Sequence, residues 1–78
     1  MPRLLKTREE IQAEVHRLVH LDPKVREAKV NIEIPLPLEM DPMDGCNWAM
    51  SSYRNSTGHM DAVAKAVSEV MDKWNLKV

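Results

Sequence analysis

The sequence predicts a single two-layer α+β domain with helix, strand, strand and helix in that order. Three patterns predict it: a capped helical stripe near the start, strict alternation in the middle, and a second helical stripe near the end. A chain of 78 residues has room for one domain with a thin core. We therefore expect a small antiparallel hairpin packed against two helices, with residues 1–78 as one domain.

The first helix is predicted at residues 7–20, after an N-terminal tail of residues 1–6. Thr7 and Glu10 form a capping box, in which each side chain can satisfy the other's backbone N–H. Apolar residues then recur at helical spacing and form one stripe: Ile11, Val15, Leu18 and Val19. Pro23 forces the preceding residue out of helical geometry, so the helix should end before it.

The middle of the chain alternates between apolar and other residues. Apolar side chains occupy every even position of residues 30–40, which is the period of a strand with one buried face. Pro35 and Pro37 remove two N–H donors from one side, so this is an edge strand or it becomes an extended arm after Ile34. We place the strand at about residues 28–38.

A second strand and a second helix complete the predicted fold. Cys46, Trp48 and Met50 alternate with other residues, which predicts an antiparallel partner strand at about residues 46–53. Apolar residues then recur at helical spacing, which predicts a helix at about residues 57–75 with Ser56 or Thr57 as its cap. A two-stranded sheet is marginal alone, so a third short strand within residues 38–47, or a partner chain, is needed to complete it.

Composition limits the classes of function. The single cysteine, Cys46, excludes an internal disulfide, and no apolar run approaches the length of a membrane span, so we expect a cytoplasmic protein without a membrane partner. The net charge of −1 gives no general attraction to nucleic acid. The element order resembles the double-stranded-RNA-binding domain, but residues 58–65 lack that family's lysine-rich motif, so we expect no nucleic-acid partner.

The loop that enters the second helix is the candidate ligand site. A helix N-terminus offers unpaired N–H groups and partial positive charge, which suit a phosphate or another anion. The loop could add a guanidinium, two hydroxyls, an accessible backbone and an imidazole, from Arg54, Ser56, Thr57, Gly58 and His59. Capping residues of this kind also occur on helices that bind no ligand, so this hypothesis has a purely structural alternative.

Other chemistry-bearing residues form no convincing catalytic set. Cys46 could act as a nucleophile with His59 as its base, but its alternation with Trp48 favours a buried structural thiol. His16 and His20 lie one helical turn apart, yet neither a third ligand nor a metalloprotease motif accompanies them. We therefore predict no catalytic residues, no metal and no cofactor.

The leading functional hypothesis is a small non-enzymatic interaction module that binds a protein partner or pairs with itself. The small sheet, and the use of six Met and two Trp in a chain without Phe, motivate it. The expected interface residues are Trp48, which could alternatively lie in the core, and the edge formed by Pro35 and Pro37. Anion binding is the second hypothesis, and an enzyme that uses Cys46 or His59 is the third.

Overall fold

Helices and short strands are both present in the computed structural model, which describes residues 4–43 and 45–77. The α+β class predicted from the sequence is confirmed. The described elements are β1 (Leu4–Lys6), α1 (Arg8–Leu21), α2 (Pro23–Ala28), β2 (Leu38–Met43), β3 (Cys46–Ala49), α3 (Met60–Lys73) and β4 (Trp74–Leu76). No helix of these residues is long and apolar enough to cross a membrane.

Helix α1 begins as the capping box predicts. The Thr7 hydroxyl accepts from the Glu10 N–H, and the Glu10 carboxylate accepts from the Thr7 N–H. The chain does not stay irregular after Pro23, because proline suits the first position of a helix and Asp22 caps the new helix α2. The sequence analysis treated Pro23 only as a stop signal and missed α2, which ends at Lys29 in the left-handed conformation (φ 56°).

The predicted first strand is displaced. The strand occupies Leu38–Met43, with a shift of register between Glu39 and Met43. Residues 30–37 form an extended segment, here called the arm, with one bridge between Glu33 and Arg54. Glu33 lies five residues before Leu38, and Arg54 lies five residues after Ala49. Because Leu38 and Ala49 are paired with each other, the bridge continues the register of the hairpin into the arm. The prolines explain the gap, because Pro35 and Pro37 cannot donate to a ladder. The expected arm after Ile34 is therefore wrong in its order, because the arm comes first and the paired strand begins at Leu38.

The buried face of this segment changes phase inside the arm. Ile32 and Ile34 are buried as the alternation predicts, but the next buried side chain is Pro37, three residues on. Leu36 and Leu38 consequently point outward, although the sequence pattern assigned them to the core. The segment that faces the arm accommodates this change of phase at Ser52, whose φ is 66°.

The two chain ends form a parallel pair that the sequence analysis did not predict. Residues 4–6 of the expected tail are β1, which pairs with β4 from Leu4↔Trp74 to Lys6↔Leu76. Residues 1–3 of that tail lie outside the described residues. Strand β4 is linked to β3 through a side chain, because the Asn47 amide accepts from the Leu76 N–H (2.8 Å) and donates to the Leu76 carbonyl (3.0 Å). The link extends the hairpin toward the terminal pair.

Helix α3 is shorter than predicted at both ends. It starts at Met60 because Gly58 has a φ of 82° and residues 56–59 form a turn, in which the His59 N–H donates to the Ser56 carbonyl. His59 is the N-cap and makes no side-chain capping bond, so the predicted caps, Ser56 and Thr57, are wrong. The helix ends at Lys73 because Trp74 is extended and pairs with β1.

The core lies between the helices and the strands. It joins the buried faces of α1, α2 and α3 to the arm, β3 and β4: Ile11, Val15, Val19, Val25, Ile32, Ile34, Cys46, Trp48, Val63, Ala66, Val70 and Leu76. The buried side chains of β3 and β4 therefore define an inner face toward the helices and an outer face away from them.

Candidate interaction surface

The outer face of the strands carries a row of uncharged residues, here called the outer row. Asn47 and Ala49 alternate with the buried residues of β3, and Asn75 precedes buried Leu76 in β4, so all three point away from the core. Paired residues share a face, which adds Leu38 beside Ala49 and Leu5 beside Asn75. The outer row thus runs from β2 through β3 and β4 to β1.

Both ends of the outer row are apolar and exposed. Leu38 is 64% exposed and Leu5 is 61% exposed, whereas Asn47, Ala49 and Asn75 between them are half-buried. The Oδ1 atom of Asn75 is shielded and has no hydrogen-bond partner, a state that costs stability. A single exposed leucine is ordinary on a protein surface, but these two belong to one row without charge, and we take that row as the candidate contact surface.

The residues that the sequence predicted for an interface lie elsewhere. Trp48 has no exposed surface and its indole N–H donates to the Trp74 carbonyl (3.0 Å), so the core alternative describes it. Pro37 is fully buried and Pro35 is half-buried. The exposed apolar residues of this region are instead Leu36 and Leu38, which the phase change inside the arm turns outward. The two prolines that interrupt the strand were the signal in the sequence for such a break.

The predicted anion-site residues are only partly brought together. Gly58 and His59 line an open cleft of about 250 Å³ between the start of α2 and the start of α3, together with Lys24. Arg54 does not line this cleft; its side chain is 81% exposed and lies 3.8 Å from the Glu33 carboxylate. Neither Ser56 nor Thr57 lines it, and the acids of the cleft, Asp22 and Asp61, oppose anion binding.

A second cleft of about 230 Å³ adjoins the first and shares part of its wall. Leu18, Leu21 and Ala66 give it an apolar lining between α1 and α3, and charged residues of both signs line the rest. The mixture of charge gives this cleft no preference for an anion or a cation.

The residues considered for catalysis or metal binding have structural partners. Cys46 is buried and its thiol donates to the Trp48 carbonyl at 3.3 Å, while no hydrogen bond joins it to His59 in the part of the chain described. Both ring nitrogens of His20 are engaged by backbone groups. No cluster of three potential metal-binding side chains occurs within residues 4–43 and 45–77.

The strongest electrostatic feature lies between two helices. The Glu14 carboxylate accepts from Arg17 on its own helix and from Lys73 on α3. These bonds, that of Arg17 first, hold the pKa of Glu14 at about 2, below its usual 4.5. Lys73 also lies over the Trp74 ring, 4.9 Å from its centre. The packing of α1 against α3 therefore explains this cluster of charges.

Comparison with known proteins adds no assignment to this geometry. No protein-family model, curated protein or solved structure matches the chain.

Proposed function

We propose that this chain is a non-enzymatic interaction module that associates with a second copy of itself through the outer row. The observation that carries the proposal is the pair of exposed leucines, Leu5 and Leu38, at the two ends of a row without charge. Covering them in a partner would remove apolar surface from water.

A second copy fits this surface better than a charged partner does. Charged residues make up 29% of the chain, but the outer row contains none of them. Two copies can therefore pack their outer rows together without like-charge repulsion, whereas a charged partner would meet no opposite charge there. Pairing would also cover the second face of strands that are short and marginal on their own.

The size of the surface sets the expected affinity. Four strands at a spacing of about 4.8 Å, each roughly 10–15 Å long, present only about 200–300 Å² in projection. A standard stable interface takes about 800 Å² from each partner. We therefore expect a weak dimer, with a dissociation constant of about 1 μM or more.

Sedimentation equilibrium between about 0.1 μM and about 1 mM would test the proposal, since this range extends both below and above a dissociation constant of about 1 μM. The molar mass should rise from one chain toward two across the range, and Leu38→Lys should keep the protein monomeric. Leu21→Lys is the matched control, because Leu21 is also about half exposed but lies at the end of α1. A wild-type protein that stays monomeric at the highest concentration, or a dimer insensitive to Leu38→Lys, would contradict it.

Anion binding at the start of α3 is a second candidate. It is supported by the cleft in which Lys24, Gly58 and His59 meet beside an N-terminus that has no side-chain cap. Titration with inorganic phosphate should then shift the backbone amide signals of Gly58 and His59, and Lys24→Met should reduce the shift. Unchanged signals at millimolar phosphate would remove this candidate and leave the self-association proposal untouched.

A further inference from the structure

His20 ties the last turn of α1 to the arm through both of its ring nitrogens. Its Nδ1 lies 2.7 Å from the His16 carbonyl oxygen, and its Nε2 lies 3.1 Å from the Ile32 backbone nitrogen. A carbonyl can only accept and a backbone N–H can only donate. The Nδ1 atom must therefore carry the proton, and Nε2 must be the bare acceptor, which defines one neutral tautomer.

Protonation removes this arrangement. A proton on Nε2 turns the acceptor for Ile32 into a second donor, so two N–H groups would face each other. The ring of His16 stacks on that of His20 with 4.0 Å between ring centres, so a charge on both rings would also be repulsive. We propose that His20 is a pH-sensitive latch, which holds the arm against α1 while it is neutral and releases it when it is protonated.

Two other side-chain attachments of the arm do not share this sensitivity. The Gln12 amide donates to the Ile34 carbonyl at 2.7 Å, and the Asn55 amide donates to the Asn31 carbonyl. Both donors are uncharged at any ordinary pH. Acidification should therefore loosen the arm first at Ile32, which is fully buried in the core, while Ile34 stays held.

The charged groups beside the latch on α1 and on the arm have partners of their own. On α1 the neighbouring titratable ring is that of His16, and Arg17 is engaged by the Glu14 carboxylate. On the arm Glu33 pairs with Arg54, and its side chain is more than half exposed. In the part of the chain that the structure describes, no carboxylate is bonded to His20, so none would compensate a proton on the ring.

The test needs only the wild-type protein and NMR. Long-range ¹H–¹⁵N spectra at neutral pH should show His20 as the Nδ1–H tautomer. The hydrogen-exchange protection factor of the Ile32 amide, corrected for intrinsic exchange, should fall about tenfold between about pH 7.5 and about pH 5. The Ile11 amide, which donates to the Thr7 carbonyl at 3.0 Å at the other end of α1, provides an internal reference. The Nε2–H tautomer, or an Ile32 protection factor that does not change, would overturn the proposal.

Two variants assign the effect to His20. His20→Gln keeps an acceptor within reach of the Ile32 N–H but cannot titrate, so the protection factor should no longer depend on pH. His59→Gln is the control, because it removes a histidine from the start of α3 and should leave the pH response intact. A response that persists in His20→Gln would contradict the latch, and if that variant does not fold, the wild-type tautomer and protection factor still decide. The outcome is independent of self-association.

Discussion

Glu14 is the residue whose ionisation contributes most clearly to stability. Its side chain is 12% exposed and its pKa is about 2, because Arg17 and then Lys73 hydrogen-bond to the carboxylate. A carboxyl group whose pKa is lower in the folded chain than in the unfolded one stabilises the fold above the unfolded pKa. That contribution should be lost as the pH falls from about 4.5 to about 2.

Glu14→Gln should therefore lower the free energy of unfolding at pH 7 and flatten its pH dependence in that acidic range. Arg17 and Lys73 are about half exposed, so solvent screens the interaction and we expect a loss of about 1–2 kcal/mol. Urea denaturation at pH 7 and at pH 3 would measure both effects. Glu27→Gln, on the exposed side of α2, is the control and should change stability little. Equal losses for Glu14→Gln at both pH values would contradict the assignment.

The Asn47 side chain makes hydrogen bonds of the kind that paired backbones usually make between two strands. Its amide satisfies the N–H and the carbonyl of Leu76, which belong to a strand that β3 does not pair with directly. Asn47→Ala leaves both groups without partners next to the core, and we expect a loss of about 2–3 kcal/mol in unfolding free energy. Asn31→Ala, at an exposed position, should stay within about 0.5 kcal/mol. Similar costs for the two variants would show that the Asn47 link does not hold the strands together.

Among the elements, the short helix α2 has an unfavourable end that can be improved. Lys29 adopts the left-handed conformation with a φ of 56°, which glycine tolerates without the steric penalty of a side chain. Lys29→Gly should therefore stabilise the protein by about 0.5–1 kcal/mol in thermal or urea denaturation. Lys24→Gly is the matched control, because Lys24 lies in the first turn of the same helix, where glycine should be destabilising. Destabilisation by Lys29→Gly would contradict the observed end of α2.

The observed helices and strands also show which sequence signals were sufficient to predict an element. The capping box and apolar stripe placed α1 within one residue at each end, because local hydrogen bonds and one buried face specify such a helix. Helix α2 was missed because Pro23 is both a stop for one helix and a good start for the next. Strands β1 and β4 were missed because three-residue strands from opposite chain ends pair only in the folded molecule, and no local pattern records that pairing.

The candidate site was harder to predict than the elements. Period-two alternation assigned Leu36 and Leu38 to the core, and the phase change after Ile34 is a tertiary effect of two prolines and the left-handed Ser52. The anion-site prediction grouped residues by their closeness in sequence, but the turn at residues 56–59 separates Arg54 from the cleft that Gly58 and His59 line. Lys24, which does line it, comes from α2, the helix that was not predicted.

For the whole molecule, the chain ends and the hairpin meet on one side of a thin core. Leu76, two residues from the end of the sequence, is fully buried, so closing the terminal pair and completing the core are one event. Leu5 and Leu38 lie at the opposite ends of the resulting outer row, so they share one surface only once the chain has folded into this order of strands. Association through the outer row should for that reason require the native fold.

A dimer that forms only from folded chains raises the apparent stability by an amount that grows with the logarithm of the concentration once that exceeds the dissociation constant. By mass action the melting temperature should rise with protein concentration, because dimerisation removes folded monomer from the unfolding equilibrium. Raising the concentration about a hundredfold above a micromolar dissociation constant stabilises the fold by up to about 3 kcal/mol, which is a shift of up to roughly 10–20 °C for a chain of this size. Calorimetric scans at several concentrations should show that shift for the wild type and for Leu21→Lys, and a constant melting temperature for Leu38→Lys. A wild-type melting temperature that does not depend on concentration would contradict coupling between folding and self-association, because no folded dimer would then be present to stabilise the native state.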